Sequence, residues 1–374
     1  MSHTYSEFLP SYSVGVDCYK AIPEIVKPYG KKAVAVGGKT AMEKSKKALL
    51  EGIKGSDIEI IDFVWYGGDS SYENVEKIKD NPSVQKADMV FGIGGGRAVD
   101  TAKTYCALYN KPLFTFPTIA SNCASCTSLS VMYNPDGTFK EYSYHKAPAI
   151  HTFINTKIIA ESPEKLMWAG IGDALSKEYE VIFACREKNM IHTPLLGKAI
   201  ASASTEPLIS FGKKALEDCK NNVPTEAIEQ VVLDIIITAG LVSNFTVHEN
   251  NPNPEEDYYY NSSLAHCVYY GASLFPQCER QHLHGEIVSF GVLCLLTYDG
   301  QFEERNRIFE FNHSIGLPCT LGEIALTPND VPAIAHKAAS VVEWKYVPGS
   351  PTEDAFINAI LATDKAGKEF LADK

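Results

Sequence analysis

The sequence predicts an α/β N-terminal part built on a mostly parallel sheet, followed by an all-helical remainder. Three observations carry this. Short β-branched or apolar runs alternate with helical patterns through the first third of the chain. Glycine clusters stand at the ends of those runs, at Gly37-Gly38, Gly67-Gly68 and Gly94 to Gly96. After Ser162-Pro163-Glu164, strand signals nearly vanish and helical periodicity takes over. The boundary is placed near residue 160, giving domains 1–160 and 161–374.

Taken in order, Lys32 to Gly37 reads as the first strand and Thr40 to Gly52 as its helix. Ile58 to Tyr66 is the second strand. Ser71 can cap the next helix, which Asn81-Pro82 stops near Lys79. Met89 to Ile93 is the third strand and opens through glycines into a third helix; Pro112 to Phe116 is the fourth. Leu129 to Tyr133 and Thr138 to Tyr142 flank Asn134-Pro135-Asp136-Gly137, a hairpin signal. The second part carries helical patterns at Asp173 to Lys188, Pro194 to Asp218, Thr225 to Asn244, Asn261 to Gly271, Gly285 to Gln301, Glu303 to Ile315, Asp330 to Val342 and Thr352 to Ala362. Asn250 to Asp257 reads as a polar loop.

A chain of 374 residues is too long for one ordinary core and suggests two domains. A net charge of −12 without a basic run argues against a nucleic-acid partner. No basic region followed by an apolar segment opens the chain, and the apolar stretch from Val231 to Val242 reads as too short and too polar for a bilayer. The expectation is a cytoplasmic protein without membrane contact. Ten scattered cysteines, with Cys123 and Cys126 the one Cys-x-x-Cys pair, read as reduced thiols.

The stretch from Val90 to Lys103 organises the first domain. A buried strand, three glycines and a helix start leave backbone N–H groups pointing into an open gap, where the helix dipole favours an anion. That suits a phosphate or pyrophosphate. The common Gly-x-Gly-x-x-Gly fingerprint fails, because Val99 or Arg97 falls where its last glycine belongs. Asp100 and Lys103, one turn apart, read either as part of this site or as a solvated pair. In the helical part, Asp173 at a helix start, His266 within a helix and His284 just before another could together hold a divalent cation. One Asp and two His leave a coordination position open, as in catalytic sites. His282, Glu286 and the more distant His248 compete for the same role.

Several of these motifs occur together and in order. Gly-Gly-Gly-x-x-x-Asp-x-x-Lys is followed by Pro117-Thr118-Ile119-Ala120-Ser121, Leu129-Ser130-Val131, Gly170-Ile171-Gly172-Asp173-Ala174-Leu175, Ala265-His266 and His284-Gly285-Glu286. This order resembles the iron-containing alcohol dehydrogenase superfamily, and most of all its glycerol dehydrogenase-like branch, over about residues 30 to 300. The resemblance implies a Rossmann-like cofactor domain and a helical metal domain, the dehydroquinate synthase-like architecture. It implies that Gly95, Gly96, Arg97 and Asp100 face the pyrophosphate and nicotinamide ribose, and that Thr118, Ser121, Thr127, Leu129 and Tyr133 line the rest of the cofactor. Asp173, His266 and His284 would bind the metal and carry catalysis. Members with iron tend to have a further His one turn after the Asp; here Lys177 stands there, which favours Zn²⁺ over Fe²⁺. A small-molecule alcohol or carbonyl substrate and a homo-oligomer are expected.

Departures from the family pattern bear on substrate and cofactor. Glycerol dehydrogenases carry an Asp near the substrate hydroxyls; this chain has Cys123 at that place. The loss removes an acceptor for a polyol and a repulsion against an anion. Ser121-Asn122-Cys123-Ala124 looks more like the branch that reduces 2-oxo acids to 2-hydroxy acids, with Arg97, Lys177 or Arg280 as candidate carboxylate partners. Tyr269 and Tyr270 replace a second His that many members carry one turn after the first metal His. After the first strand, Gly38 and Lys39 stand without an acid that would accept ribose hydroxyls, favouring NADP(H) over NAD(H). The expected activity is metal-dependent hydride transfer between an alcohol and a carbonyl, on a 2-oxo acid in the first place. A glycerol-like polyol or small aldehyde is the first alternative and a dehydroquinate synthase-like lyase the second.

Overall fold

The computed structural model describes residues 6–248 and 257–374. The start of the chain and most of the polar loop expected at Asn250 to Asp257 lie outside the described residues. The chain divides into two compact units. One comprises Met1–Glu164 with Glu217–Asn244, the other Lys165–Leu216 with Phe245–Lys374. The helical segment Glu217–Asn244 thus groups with the sheet, whereas the sequence reading put everything after residue 160 in the second domain.

The first unit holds a six-stranded sheet, every pairing in it parallel. Its strands are β1 (Ser11–Val14), β2 (Lys32–Gly37), β3 (Glu59–Trp65), β4 (Met89–Gly94), β5 (Leu113–Pro117) and, after a separate antiparallel hairpin of β6 (Leu129–Tyr133) and β7 (Phe139–Tyr144), β8 (His151–Ile154). The order across the sheet is β1-β8-β5-β4-β2-β3. Strand alternation sorts the core into two layers, as expected when a parallel sheet is covered on both faces. Ala33, Ala35, Phe91, Ile93, Phe114 and Phe116 join one cluster with Met42 and Leu49 of the helix Lys39–Gly52. Val34, Val36 and Val90 join the other with Val75, Ile78, Ala102 and Tyr105 of the helices Tyr72–Lys79 and Gly96–Tyr109.

Four of the six strands and the hairpin match the sequence reading. β1 and β8 do not appear in it, since each has only four residues. Ser71 caps its helix as expected, accepting from the Asn74 N–H. Among the described residues one helical run, Glu226–Thr246, is long and apolar enough by length and composition to cross a membrane, against the expectation from sequence. Its most apolar window is 72 % buried in the fold, as in a core helix. The run contains a π-helical segment, Asp234–Thr238.

Among its described residues the second unit is helical apart from the two-residue strands β9 (Val247–His248) and β10 (Tyr258–Tyr259). The expected helix Asp173 to Lys188 is two helices, Glu164–Ala174 and Ser176–Ala184, so Asp173 stands near the end of the first helix rather than at a helix start. Pro194 to Asp218 is likewise two helices, His192–Ala201 and Thr205–Lys220. His266 lies on the helix Leu264–Ala272, and His284 is the first residue of the helix His284–Tyr298.

Candidate cofactor and metal sites

In the sheet unit, β4 ends at Gly94, whose φ of +140° suits glycine and few other residues. Gly95 caps the helix Gly96–Tyr109 with extended backbone and no capping side chain. A small pocket at this turn is lined by Gly94, Gly95, Gly96, Ser121, Asn122 and Ser125. Arg97 is exposed, 4.6 Å over the Tyr133 ring and 3.3 Å from Asp69 Oδ1. Thr118 is buried and its N–H reaches Gly94 O at 3.3 Å. Ser121, Cys123 and Leu129 are half-buried. Gly38 caps the helix Lys39–Gly52, and the exposed Lys39 holds its ammonium 4.5 Å over the Trp65 ring at the end of β3.

Asp100 and Lys103 are not a solvated pair. Both are buried, and Lys103 Nζ donates to Asp100 Oδ1 at 3.0 Å, Thr127 Oγ1 at 3.1 Å and Leu129 O at 2.5 Å. Asp100 Oδ2 accepts from the Val131 N–H at 3.2 Å. Asp100, Thr127 and Leu129 thus tie the helix after the glycine turn to β6. Burial raises the Asp100 carboxyl despite Lys103 beside it. The cysteines form no disulfide, and Cys123 is the one that is not fully buried.

In the helical unit, Asp173, His266 and His284 converge, with one donor atom from each lying within 4.8 Å of the others. Asp173 Oδ1 is 3.3 Å from His284 Nε2 and 3.6 Å from His266 Nε2. A hydrogen-bonded pair prefers about 2.7–3.2 Å. Donors around a tetrahedral ion with bonds of about 2.0–2.1 Å stand about 3.3 Å apart. The longer separations therefore suit a shared cation better than a direct contact, and the donor set suits Zn²⁺ or Fe²⁺ alike. Burial pushes the Asp173 carboxyl up, but His266 and His284 outweigh it and hold it well below the usual carboxylate range. His282 and Glu286 stand apart from this cluster and satisfy each other, Nδ1 to Oε1 at 2.8 Å. His248 lies on β9.

One residue of this centre escaped the sequence reading. Glu180, fully buried, meets His266 Nδ1 with Oε2 at 2.6 Å. It lies seven residues beyond Asp173 but across the break at Leu175, on the next helix, so no sequence spacing marks it. Lys177 is also buried, its ammonium donating to Asn261 Oδ1 at 3.0 Å. Arg280 is exposed. The Tyr269 ring packs edge-on to His284 with centroids 4.2 Å apart, and the Tyr270 ring is 6.5 Å from His266.

The parallel sheet carries a glycine turn that suits a phosphate group, and the helical unit carries an Asp-His-His cluster that suits a divalent cation. The family model for iron-containing alcohol dehydrogenase matches residues 10–154. A glycerol dehydrogenase from Thermotoga maritima is 31% identical over 316 residues, 81% of each chain. Hydroxycarboxylate dehydrogenase A from Escherichia coli is 30% identical over 331 residues, 87% of this chain and 85% of its own. The crystal structure of glycerol dehydrogenase from Schizosaccharomyces pombe superposes with a TM-score of 0.86 at 24% identity, covering 100% of this chain and 93% of that one. The chain belongs to the iron-containing alcohol dehydrogenase family, in its glycerol dehydrogenase-like part. It is an oxidoreductase acting on CH–OH groups of small molecules.

Proposed function

We propose that the protein is a zinc-dependent, NADP(H)-linked dehydrogenase of a small vicinal polyol such as glycerol. The observation that carries the reading is the convergence of Asp173, His266 and His284. Three protein donors leave room for a substrate oxygen, and the carboxylate offsets part of the ion's charge. When bound, the cation polarises the alcohol or carbonyl oxygen while the nicotinamide supplies or accepts the hydride. Asp173 and the two imidazoles hold the ion; Tyr269 packs against His284 and fixes that ring. In the sheet unit, the first N–H groups of the helix Gly96–Tyr109 grip the pyrophosphate, and Arg97, held by Tyr133 and Asp69, adds positive charge. Thr118 and Ser121 border the turn, and with Thr127, Leu129 and Tyr133 they would line the rest of the cofactor.

Zinc is preferred to iron because Lys177, a cation engaged with Asn261, stands where iron-binding members tend to have another His. NADP(H) is preferred because Lys39 presents an ammonium beside Gly38 and no acid follows β2. The polyol reading draws on relatives named glycerol dehydrogenase. One observation favours a second reading, reduction of a 2-oxo acid. The half-buried Cys123 offers no carboxylate to hydroxyls and no repulsion to an anion, and one relative is named for hydroxycarboxylates.

The test is a panel of glycerol, other diols, aldehydes and 2-oxo acids, assayed in both directions with both cofactors on zinc-loaded enzyme. Polyol oxidation that disappears with zinc removal is the expected result. Turnover of 2-oxo acids alone selects the second reading. Full activity in an Asp173→Ala, His266→Ala double variant overturns the metal assignment.

A further inference from the structure

Glu180 makes three hydrogen bonds, and each bears on His266. Its Oε1 accepts from the backbone N–H of Ser263 at 2.7 Å and of His266 at 2.9 Å. Its Oε2 meets His266 Nδ1 at 2.6 Å. Ser263 is the N-cap residue of the helix Leu264–Ala272, yet its own side chain makes no capping bond. A carboxylate from the helix Ser176–Ala184 therefore does the work of the cap, satisfying donors that a helix start leaves open. The same group turns the imidazole of the third residue of that helix.

We infer that Glu180 is a positioning residue for the metal centre, fixing His266 with its proton on Nδ1 so that Nε2 is the atom presented beside Asp173. The argument rests on the metal reading above and on hydrogen-bond chemistry. An ionised carboxylate accepts only, so the ring nitrogen facing it must donate. With Nδ1 carrying hydrogen, the neutral ring's lone pair lies on Nε2, 3.6 Å from Asp173 Oδ1. A ligand His whose other nitrogen donates to a carboxylate is a better base and is held in one orientation. Glu180 can do this because it is completely buried: water does not compete for the bond.

Glu180→Gln separates capping from positioning. The amide keeps the volume and one carbonyl oxygen. With that oxygen on the two backbone donors, the NH₂ group faces Nδ1, which must then accept, and the ring's hydrogen moves to Nε2, against the metal. Zn²⁺ affinity, read by competition with a chromophoric chelator, should fall about 10–100-fold. The absorption spectrum of the Co²⁺-substituted variant should shift, while dinucleotide binding by the sheet unit is retained. In a His266→Ala background, Glu180→Gln should change Zn²⁺ affinity little further. A second measurement needs no variant: ¹⁵N-histidine spectra of zinc-loaded wild-type enzyme should show His266 with Nδ1–H and a metal-bound Nε2.

Glu180→Gln with unchanged Zn²⁺ affinity and Co²⁺ spectrum, or a wild-type His266 bound through Nδ1, overturns the inference. Should the variant fail to fold, the wild-type spectrum decides. Wild-type protein that binds no Zn²⁺ at all would instead overturn the metal reading itself, so the two failures are distinguishable.

Discussion

Gly285 approaches the helix Glu164–Ala174 so closely that a Cβ built on it would lie 1.8 Å from the Ala169 carbonyl oxygen. The contact is mutual, since a Cβ on Gly172 would lie 2.3 Å from Gly285 O. Two backbones thus touch one residue away from Asp173 and from His284, which places those two donors. Gly285→Ala must push the helices apart. Such overpacking costs typically about 1–3 kcal/mol and occasionally more, against a gain of at most about 1 kcal/mol in helix propensity. The expected result is a lower melting temperature together with weakened Zn²⁺ binding. An alanine variant with wild-type melting and metal affinity would show that the crossing does not set the site.

A second prediction concerns Lys103 and Asp100, which neutralise each other out of water. Lys103→Met leaves the Asp100 carboxylate buried without its cation. Breaking a buried pair on one side costs about 3–5 kcal/mol, whereas replacing both partners can be nearly neutral. Urea unfolding should therefore show a large loss for Lys103→Met and substantial recovery in the Asp100→Asn, Lys103→Met double variant. Equal losses in the single and double variants would mean that the lysine acts mainly through Thr127 and the Leu129 carbonyl.

These two contacts also show what the sequence could reveal. The glycines at 94–96 were legible because three glycines between an apolar run and a helix carry their meaning locally, whereas the trio Asp173, His266 and His284 stood out only through the resemblance in motif order, since spacing alone leaves His282, Glu286 and His248 as competitors. The helix phase around Asp173 was not: a helical pattern looks alike whichever turn the chain breaks at, and the break falls at Leu175. β1 and β8 escaped because four-residue strands hold too little alternation to register. Glu180 escaped because a glutamate within a helix reads as a solvated charge; only folding brings it to His266, 86 positions away. Gly172 and Gly285 were seen as motif letters, and their role in backbone contact belongs to tertiary structure.

Cofactor choice gives a third prediction. The Lys39 ammonium lies over the Trp65 ring, which holds it at the start of the helix after β2. A hydrogen bond to a charged group contributes about 1.5–3 kcal/mol. Lys39→Ala should thus lower kcat/KM for NADPH by about 10–100-fold at that energy scale and leave NADH nearly unchanged. Trp65→Ala, which frees the ammonium without removing it, should have a smaller effect of the same sign. Equal losses with both cofactors would assign Lys39 to the fold rather than to the 2′-phosphate.

Acid should loosen the sheet edge first. His151 on β8 sits between two hydroxyls of β1: Ser11 Oγ is 2.7 Å from Nδ1 and Ser13 Oγ is 2.9 Å from Nε2. Ser11 spends its own hydrogen on Ile150 O at 2.9 Å. Nδ1 must therefore donate to Ser11, and Nε2 accepts from Ser13, which describes a neutral ring. Burial lowers its pKa from the ordinary 6.5 to about 4. His145 shifts the same way, to about 3, through burial and the nearby Lys103. Because the folded-state values lie below the unfolded ones, the unfolded chain takes up protons first as pH falls. The contribution of His151 to stability is complete above about pH 6.5 and is lost progressively down to about pH 4. Denaturant midpoints should fall across that window, and amide exchange at Ser11–Val14 should accelerate before that of β4. His151→Gln should flatten the pH dependence, because its amide can donate to one serine and accept from the other without titrating. A variant whose midpoint still falls as steeply as wild type would move the acid sensitivity to His145 or to another group.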